Sequence, residues 1–223
     1  MASSLNQAPQ SSTAYMPAPV VMAISPADNN AELIEQCVQL GYLHASDTIL
    51  DPTYGCGGFW TKWQPATLVA SDLDASRSPY GSSVDFTATP WNQESFDAVV
   101  FDPPYKLNGA GGSHPSDIRY GVANRRSVSW QDRHHLIRTG ITEVVRLLRP
   151  GGTLLIKCQD QVSGGSVRWQ TREFSDHAEQ HGCRLVDMLH LVSYRPQPPN
   201  RRQVHARRNY STLLVLTKDH HRH

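Results

Sequence analysis

The residues of this sequence that are best suited to chemistry form a short segment, Asp102–Tyr105, which reads Asp-Pro-Pro-Tyr. It follows the apolar run Phe96–Phe101, which predicts a buried strand, so the segment begins where a strand ends. An amino group on an aromatic ring shares its lone pair with the ring and is therefore a poor nucleophile. The Asp102 carboxylate and the Pro103 carbonyl can accept its two N–H bonds, which directs the lone pair toward an electrophile.

The rest of the segment suits the same chemistry. The prolines fix φ and hold both oxygens rigidly, and the carboxylate stabilises the positive charge that develops on the nitrogen. Tyr105 offers an aromatic face to a base, which would be flipped out of a duplex to reach it. Asp and Pro are also common in ordinary turns, but the position at a strand end favours the chemical role. We predict as catalytic residues Asp102, Pro103, Pro104 and Tyr105, and no covalent nucleophile is needed.

A glycine-rich turn, Asp51–Gly58, follows a second apolar run at Thr48–Leu50. Glycines let the backbone turn tightly and lie close to a ligand, and ligands of doubly wound sheets bind at the carboxyl ends of strands. Asp72 stands 21 residues after Asp51, at the end of the next predicted strand, where it could accept both hydroxyls of a ribose. Asp85 could bind an adenine amino group. The predicted cofactor-binding residues are Asp51, Pro52, Thr53, Tyr54, Gly55, Gly57, Asp72, Asp85 and Phe86.

Taken alone, the glycine-rich turn has two other interpretations. It could be a tight structural turn, or it could belong to a dehydrogenase, since NAD-binding proteins also place a carboxylate about 20 residues after such a turn. The spacing Gly55-Cys56-Gly57-Gly58 fits the dinucleotide fingerprint poorly. The segment also lacks the Lys-Ser/Thr pair of a phosphate-binding loop. The downstream segment Asp102–Tyr105 therefore favours a cofactor turn.

Together, Asp51–Gly58 and Asp102–Tyr105 resemble the amino methyltransferases of DNA and RNA. The resemblance spans about Ala31 to Lys218 and implies S-adenosylmethionine as cofactor. The implied fold is α/β, a Rossmann-like, doubly wound, seven-stranded and mostly parallel sheet with a C-terminal antiparallel hairpin. Thr53 stands where the family more often has Phe, and Phe59 or Trp60 could replace that apolar contact. Two further segments, Lys157–Asp160 and Gln203–Tyr210, look like those of small phage and bacterial members.

The resemblance implies methyl transfer to an exocyclic amino group of a nucleic-acid base, with adenine N6 in DNA as the leading hypothesis. The alternatives are cytosine N4 in DNA, adenine N6 or guanine N2 in RNA, and a catalytically silent nucleic-acid-binding subunit. A protein glutamine amide is less favoured, because those enzymes tend to carry Asn at the first position of the segment. No part of the chain is large enough for a separate target-recognition domain, so we expect a short recognition site, a protein partner or a dimer.

Alternating apolar runs and helical patterns predict the elements that position these residues. Strands are predicted at 48–50, 67–71, 96–101, 153–158, 184–194 and 210–217, and helices from Ala31 to a stop near Gly41, at 131–148 and at 171–181. This alternation is typical of a largely parallel sheet. We expect a flexible arm over residues 1–28, one methyltransferase domain over 29–218 and a flexible tail over 219–223.

Composition places the chain among soluble, globular, single-domain proteins, since 39% of its 223 residues are hydrophobic and 18% are charged. Four cysteines at long, unequal gaps favour reduced thiols in the cytoplasm over a zinc site or a disulfide framework. The sequence has no run of about 18 apolar residues that could span a membrane. A net charge of +1 means that binding to nucleic acid must depend on local patches.

Two long loops carry most of the predicted substrate contacts. The loop Lys106–Trp130 is rich in glycine, and the loop Arg195–Asn209 is rich in proline and strongly basic. Arginine clusters suit nucleic-acid phosphates, although a solvated loop is the common alternative for a run of charges. The predicted substrate-binding residues are Arg119, Arg125, Arg126, Lys157, Gln159, Arg201, Arg202, His205, Arg207 and Arg208. For Lys157 and Gln159, a structural hydrogen-bonding role is the alternative.

Overall fold

A computed structural model describes residues 20–25, 29–107, 129–193 and 202–220. The helices are α1 (Asn30–Gln39), α2 (Trp130–Leu147) and α3 (Gln170–Gln180). The strands are β1 (Ile24–Ser25), β2 (Thr48–Asp51), β3 (Thr67–Ala70), β4 (Phe96–Phe101), β5 (Leu148–Cys158), β6 (Gln161–Ser163), β7 (Ser166–Arg168), β8 (Cys183–Val192) and β9 (Tyr210–Lys218). A short 3₁₀ turn, Ala75–Arg77, follows β3.

The main sheet has the strand order β1-β8-β9-β5-β4-β2-β3. Strand β9 is antiparallel to both of its neighbours, and the other pairs are parallel, which confirms a mostly parallel α/β sheet with a C-terminal antiparallel hairpin. Six of these strands have four or more residues. The seventh is only β1, whose two residues pair with His190 and Leu191. The end of the segment that we predicted as a flexible arm therefore joins the edge of the sheet.

Helices cover both faces of the sheet. Ala98 and Val100 of β4 pack with Leu33 of α1 on one face, while Val99 and Phe101 pack with α2 and α3 on the other. This alternation follows from the two-residue period of a strand, and burial on both faces explains why the central strands are apolar almost throughout. Polar side chains are therefore concentrated where the strands end. Within the described residues, no helix is both long enough and apolar enough to cross a membrane.

Two elements differ from the sequence predictions. Strand β5 begins at Leu148, so the segment Arg149–Gly152, which lies between the predicted helix 131–148 and the predicted strand 153–158, belongs to the strand. It pairs across an irregularity between Phe96 and Ala98, and Gly151 accommodates this with a φ of 79°. The second difference is the hairpin of β6 and β7, which was not predicted. Its two-residue turn, Gly164-Gly165, has positive φ at both positions, as a tight hairpin turn requires.

Candidate functional site

The turn after β2 is built around the Asp51 carboxylate, which is only 2% exposed. One oxygen accepts from the backbone N–H of Thr53 at 2.9 Å and from its hydroxyl at 3.3 Å, and the other accepts from the Trp60 indole at 2.7 Å. Burial raises the pKa of Asp51 to about 7, against the effect of these donors. We predicted Asp51 as a direct cofactor contact. In the structure both of its oxygens are engaged within the turn, so Asp51 shapes the loop, and its contact with the cofactor stays a prediction.

The glycines of this turn meet a steric requirement. Gly55 and Gly57 have φ values of 58° and 69°, which side chains disfavour. A Cβ at Gly57 would lie 2.6 Å from the Tyr54 hydroxyl oxygen. The turn is also tied to the next strand, because the Gly55 N–H donates to Asp72 at 2.9 Å. The backbone of Tyr54–Gly57 is therefore held in one shape at the carboxyl end of the sheet.

The two other predicted cofactor carboxylates differ in their surroundings. Asp72 is half-buried, and each of its oxygens accepts one backbone N–H, from Gly55 at 2.9 Å and from Asp74 at 2.8 Å. A carboxylate oxygen has a second lone pair, so Asp72 can still accept ribose hydroxyls. Asp85 is exposed and accepts from the backbone N–H and hydroxyl of Thr87 through a single oxygen.

The Phe86 side chain does not lie where we predicted it. Its ring is buried and packs edge-on against Phe101 with centroids 5.2 Å apart. A Cβ on Gly140 of α2 would lie 2.7 Å from both rings, so the helix can approach the sheet only because this residue is glycine. A cofactor contact by Phe86 is therefore confined to its backbone, because the apolar ring is needed in the core.

The Asp102–Tyr105 loop is joined to the glycine-rich turn by Thr53. The Thr53 hydroxyl oxygen accepts the Asp102 backbone N–H at 2.8 Å while the same hydroxyl contacts Asp51. Thr53 is the position at which the sequence departs from the commoner family pattern. The structure gives that departure a physical role, since a Phe side chain could make neither hydrogen bond.

The Asp102 carboxylate is an open acceptor. The side chain is half-buried, yet among the described residues no donor forms a hydrogen bond to it. Removal from water raises the pKa of Asp102 to about 6, and the cations of Lys157 and Lys106 oppose that rise. Asp102 therefore remains mostly ionised at neutral pH, with both oxygens available to a ligand.

The backbone carbonyls of the loop are fixed in place. The Pro103 carbonyl accepts the Tyr105 N–H at 2.7 Å and keeps a second lone pair for a ligand. The Pro104 carbonyl accepts from the Arg133 guanidinium at 2.8 Å. The predicted pair of acceptors, the Asp102 carboxylate and the Pro103 carbonyl, thus lies on adjacent residues of a braced loop.

Two glutamines brace the loop, Gln161 and Gln170. Gln159 links them, because its N–H donates to Gln170 and its carbonyl accepts from Gln161, and we call the three residues the glutamine cluster. The Tyr105 carbonyl accepts from the Gln170 amide at 2.7 Å and from the Gln161 amide at 3.0 Å. The Gln161 side chain also accepts the Leu107 N–H at 3.1 Å. Gln161 and Gln170 were missed in the sequence, because side chains that bond to backbone atoms leave no pattern of complementary residue types.

Lys157 and Gln159 do not lie on a substrate-facing surface. Both are buried, because β5 is a central strand between β4 and β9. The Gln159 amide donates to the carbonyls of Arg208 at 3.0 Å and Tyr210 at 2.9 Å, so the structural alternative is the one observed. Lys157 is 1% exposed, and its Nζ has no hydrogen-bond partner within the described ranges.

Part of the predicted basic segment packs on the β6–β7 hairpin. The imidazole of His205 lies 3.0 Å from the Gly165 carbonyl, and the Arg208 guanidinium lies 4.5 Å from the centre of the Trp169 ring. Trp169 is 50% exposed, and the residue that follows it, Gln170, donates to the Tyr105 carbonyl. Arg202 and Arg207 are exposed. The other predicted arginines, Arg119, Arg125, Arg126 and Arg201, lie outside the described residues.

Three of the four cysteines are buried thiols. Cys37, Cys158 and Cys183 are buried, whereas Cys56 is exposed. Burial raises the pKa of Cys37 and of Cys183 to about 12 and that of Cys158 further, which keeps these thiols protonated.

No protein-family model matches the sequence. Among solved structures, a chain of the complex between the Haloferax volcanii Trm112 methyltransferase activator and the putative methyltransferase is similar, with a TM-score of 0.52 and 13% identity over 86% of this chain and 94% of that chain. An S-adenosylmethionine-dependent methyltransferase from Methanosarcina mazei gives a TM-score of 0.50 and 10% identity over 82% of this chain and 97% of that one.

A putative DNA modification methylase from Thermus thermophilus matches less of the fold, with a TM-score of 0.40 and 20% identity over 59% of this chain. Our chain spans about half the length of that protein, 48% and 50% in two of its structures. At such identities, likeness is evidence of fold only. The chain has the Rossmann-like α/β fold of S-adenosylmethionine-dependent methyltransferases.

Proposed function

We propose that this protein transfers a methyl group from S-adenosylmethionine to an exocyclic amino group of a nucleic-acid base. The observation that carries the proposal is the open Asp102 carboxylate beside the Pro103 carbonyl. Because Asp102 is half-buried and no described residue donates to its carboxylate, its lone pairs are open to water and to a ligand. An aromatic amine offers two N–H donors that fit these two acceptors.

The cofactor pocket in this proposal is the glycine-rich turn with its neighbouring carboxylates. Gly55 and Gly57 have positive φ and carry no side chains, so the backbone of Tyr54–Gly57 can lie against a ligand. Asp72 would accept the ribose hydroxyls, and Asp85 with the Phe86 backbone would contact the adenine. When bound, the cofactor supplies a methyl group on a sulfonium. The shared fold with S-adenosylmethionine-dependent methyltransferases supports this choice of cofactor.

The residues of the chain then act on the amine. Asp102 and the Pro103 carbonyl accept its two N–H bonds and orient the nitrogen lone pair toward the methyl group. The ionised Asp102 stabilises the positive charge that develops on nitrogen, and it can take up the proton that the methylated amine releases. Tyr105 would stack on the base, while Trp169 and the arginines near it would contact the neighbouring strand.

Adenine N6 in DNA is our first substrate hypothesis, followed by cytosine N4 in DNA and by adenine N6 or guanine N2 in RNA. The experiment is transfer of a labelled methyl group from S-adenosylmethionine to unmethylated double-stranded DNA, single-stranded DNA and RNA, followed by nucleoside mass spectrometry. A methylated amino nucleoside in one pool, lost in Asp102→Ala, is the expected result. Cofactor binding with no transfer to any pool would refute the protein as an independent enzyme and favour the silent subunit or a required partner.

The basic segment gives a second test of the substrate class. Replacing Arg207 and Arg208 by Ala should reduce the slope of log affinity against log salt concentration by up to about 2, one for each lost phosphate contact. The control is the pair Arg149→Ala and Arg184→Ala, at the opposite ends of strands β5 and β8. Equal slopes for the two double variants would exclude this segment from nucleic-acid binding.

A further inference from the structure

Lys157 is a buried cation for which the described residues offer no direct partner. Its side chain is 1% exposed, and its Nζ atom forms no hydrogen bond to the parts of the chain that the structure describes. A buried charge is costly unless another charge or a donor network compensates it, so an unpaired ammonium in the centre of the sheet needs a reason.

The register of the sheet places Lys157 beside Asp102. Phe101 of β4 pairs with Ile156 of β5 in the parallel ladder, so the next residue on each strand is Asp102 and Lys157. Phe101 and Ile156 pack on the α2 and α3 face, and residues one step along a strand point to the opposite face. Asp102 and Lys157 therefore share the face covered by α1.

Both acidic and basic groups surround the Asp102 carboxylate. Asp102 faces Asp51 from the β2 turn, Lys106 from its own loop, and Lys157 and Cys158 from β5. Among these groups, the two cations favour an ionised Asp102.

Lys157 is close to the Asp102 carboxyl and to the thiols of Cys37 on α1 and Cys158 on its own strand, and it also acts on His190 of β8. Burial lowers the pKa of Lys157 to about 8 and raises that of Asp102 to about 6, and each charge limits the shift of the other. Near neutral pH both groups are therefore charged.

We propose that Lys157 is a positioning residue whose buried ammonium is the counter-charge that keeps Asp102 ionised without occupying its oxygens. A direct ion pair would use the lone pairs that a substrate amine needs. An ammonium on the adjacent strand, beyond hydrogen-bond contact, supports the charge of the carboxylate and leaves both oxygens open. The inference rests on the proposed function in one respect, namely that Asp102 binds the substrate amine.

The test measures the carboxyl of Asp102 directly, by a pH titration of its ¹³C NMR signal, which is assigned by its loss in Asp102→Asn. The variant is Lys157→Met, and Lys157→Gln replaces it if the first variant does not fold. The matched control is Lys218→Met in β9, whose ammonium donates to the carbonyls of Val145 and Leu148 near the other end of the sheet. We expect the Asp102 midpoint to rise by at least about one pH unit in the Lys157 variant only, and Lys157→Arg to reverse most of that rise.

The same variants are then compared in methyl transfer. The acidic limb of the kcat/KM profile should move to higher pH by the amount seen in the titration, with KM at high pH unchanged. An unshifted Asp102 titration in a folded Lys157 variant would overturn the inference, and so would a change in KM at every pH without a shifted midpoint. A shifted titration in a protein that methylates no nucleic acid would refute the proposed function while the pairing of Lys157 with Asp102 stands.

Discussion

Asp51 and Asp102 stand at the carboxyl ends of neighbouring strands, and burial raises the pKa of both. Their carboxylates are nevertheless used in opposite ways. Both carboxylate oxygens of Asp51 accept hydrogen bonds, from Thr53 and from Trp60, and we call such a carboxylate closed. The Asp102 carboxylate accepts none from the described residues. Position at a strand end therefore does not decide the role of an aspartate. What decides the role is whether nearby N–H and O–H groups donate hydrogen bonds to the carboxylate.

The largest expected effect separates activity from stability at Asp102. Asp102→Ala should lower the rate of methyl transfer by roughly 10²–10³-fold, because the stabilisation of the developing positive charge is lost. Cofactor affinity should change little, since no described donor depends on this carboxylate. The free energy of unfolding should fall less than in Asp51→Ala, because the Lys157 ammonium loses a counter-charge but can release its proton. Calorimetry and single-turnover rates check this, with the exposed Asp176→Ala as the control. A rate near that of the wild type would remove Asp102 from the mechanism.

Asp51 should behave in the opposite sense. Asp51→Ala leaves the Trp60 indole and the Thr53 N–H without their buried acceptor, so the free energy of unfolding should fall by about 2–4 kcal/mol. Urea denaturation measures this loss. The cofactor affinity should fall as well, because the turn loses its shape. If Asp51→Ala and Asp102→Ala were equally stable, the distinction between a closed and an open carboxylate would be wrong.

The pH dependence of stability sharpens the same comparison. The pKa of Asp51 is about 7 in the folded state and has its ordinary value of 3.8 in the unfolded chain, so between these pH values the folded state holds more protons than the unfolded chain. The contribution of Asp51 to stability is therefore complete below about pH 4 and is lost as the pH rises through 7. Asp51→Asn should remove a slope of at most about 1.4 kcal/mol per pH unit. Denaturation midpoints at pH 6 and pH 7.5 test this, and an unchanged slope would contradict it.

The smallest effect on the rate is expected from the glutamines that hold the backbone of the Asp102–Tyr105 loop. Gln170→Met removes the donor to the Tyr105 carbonyl with little change in volume, and the rate should fall about tenfold if misplaced acceptors cost about 1.4 kcal/mol. The exposed Gln180→Met, at the other end of α3, is the control. Equal rates in the two variants would show that the loop does not need the glutamine cluster.

The sequence predicted the parts of this comparison that depend on local pattern. Apolar runs that end in Asp located β2, β3 and β4, and the helical spacing predicted α2 within one residue at each end. The segment Asp102–Tyr105 could be recognised because its chemistry lies within four consecutive residues.

The rest depends on contacts between distant positions. Nothing near Asp51 in the sequence indicates that the indole of Trp60 closes its carboxylate. Lys157 looked like a polar strand end, and only the placement of β5 between β4 and β9 shows that it is buried. The Gly151 conformation likewise allows a bulged strand where the residue types alone favour a turn.

The glutamine cluster ties together parts of the chain that are far apart in sequence. Gln170 holds the Tyr105 carbonyl and accepts the Gln159 N–H, while the Gln159 amide holds the carbonyls of Arg208 and Tyr210. If one of these segments opened locally, the segments bonded to it would lose hydrogen bonds. In native-state hydrogen exchange, the Asp102–Tyr105 loop and the segment before β9 should therefore open together, as one cooperative unit.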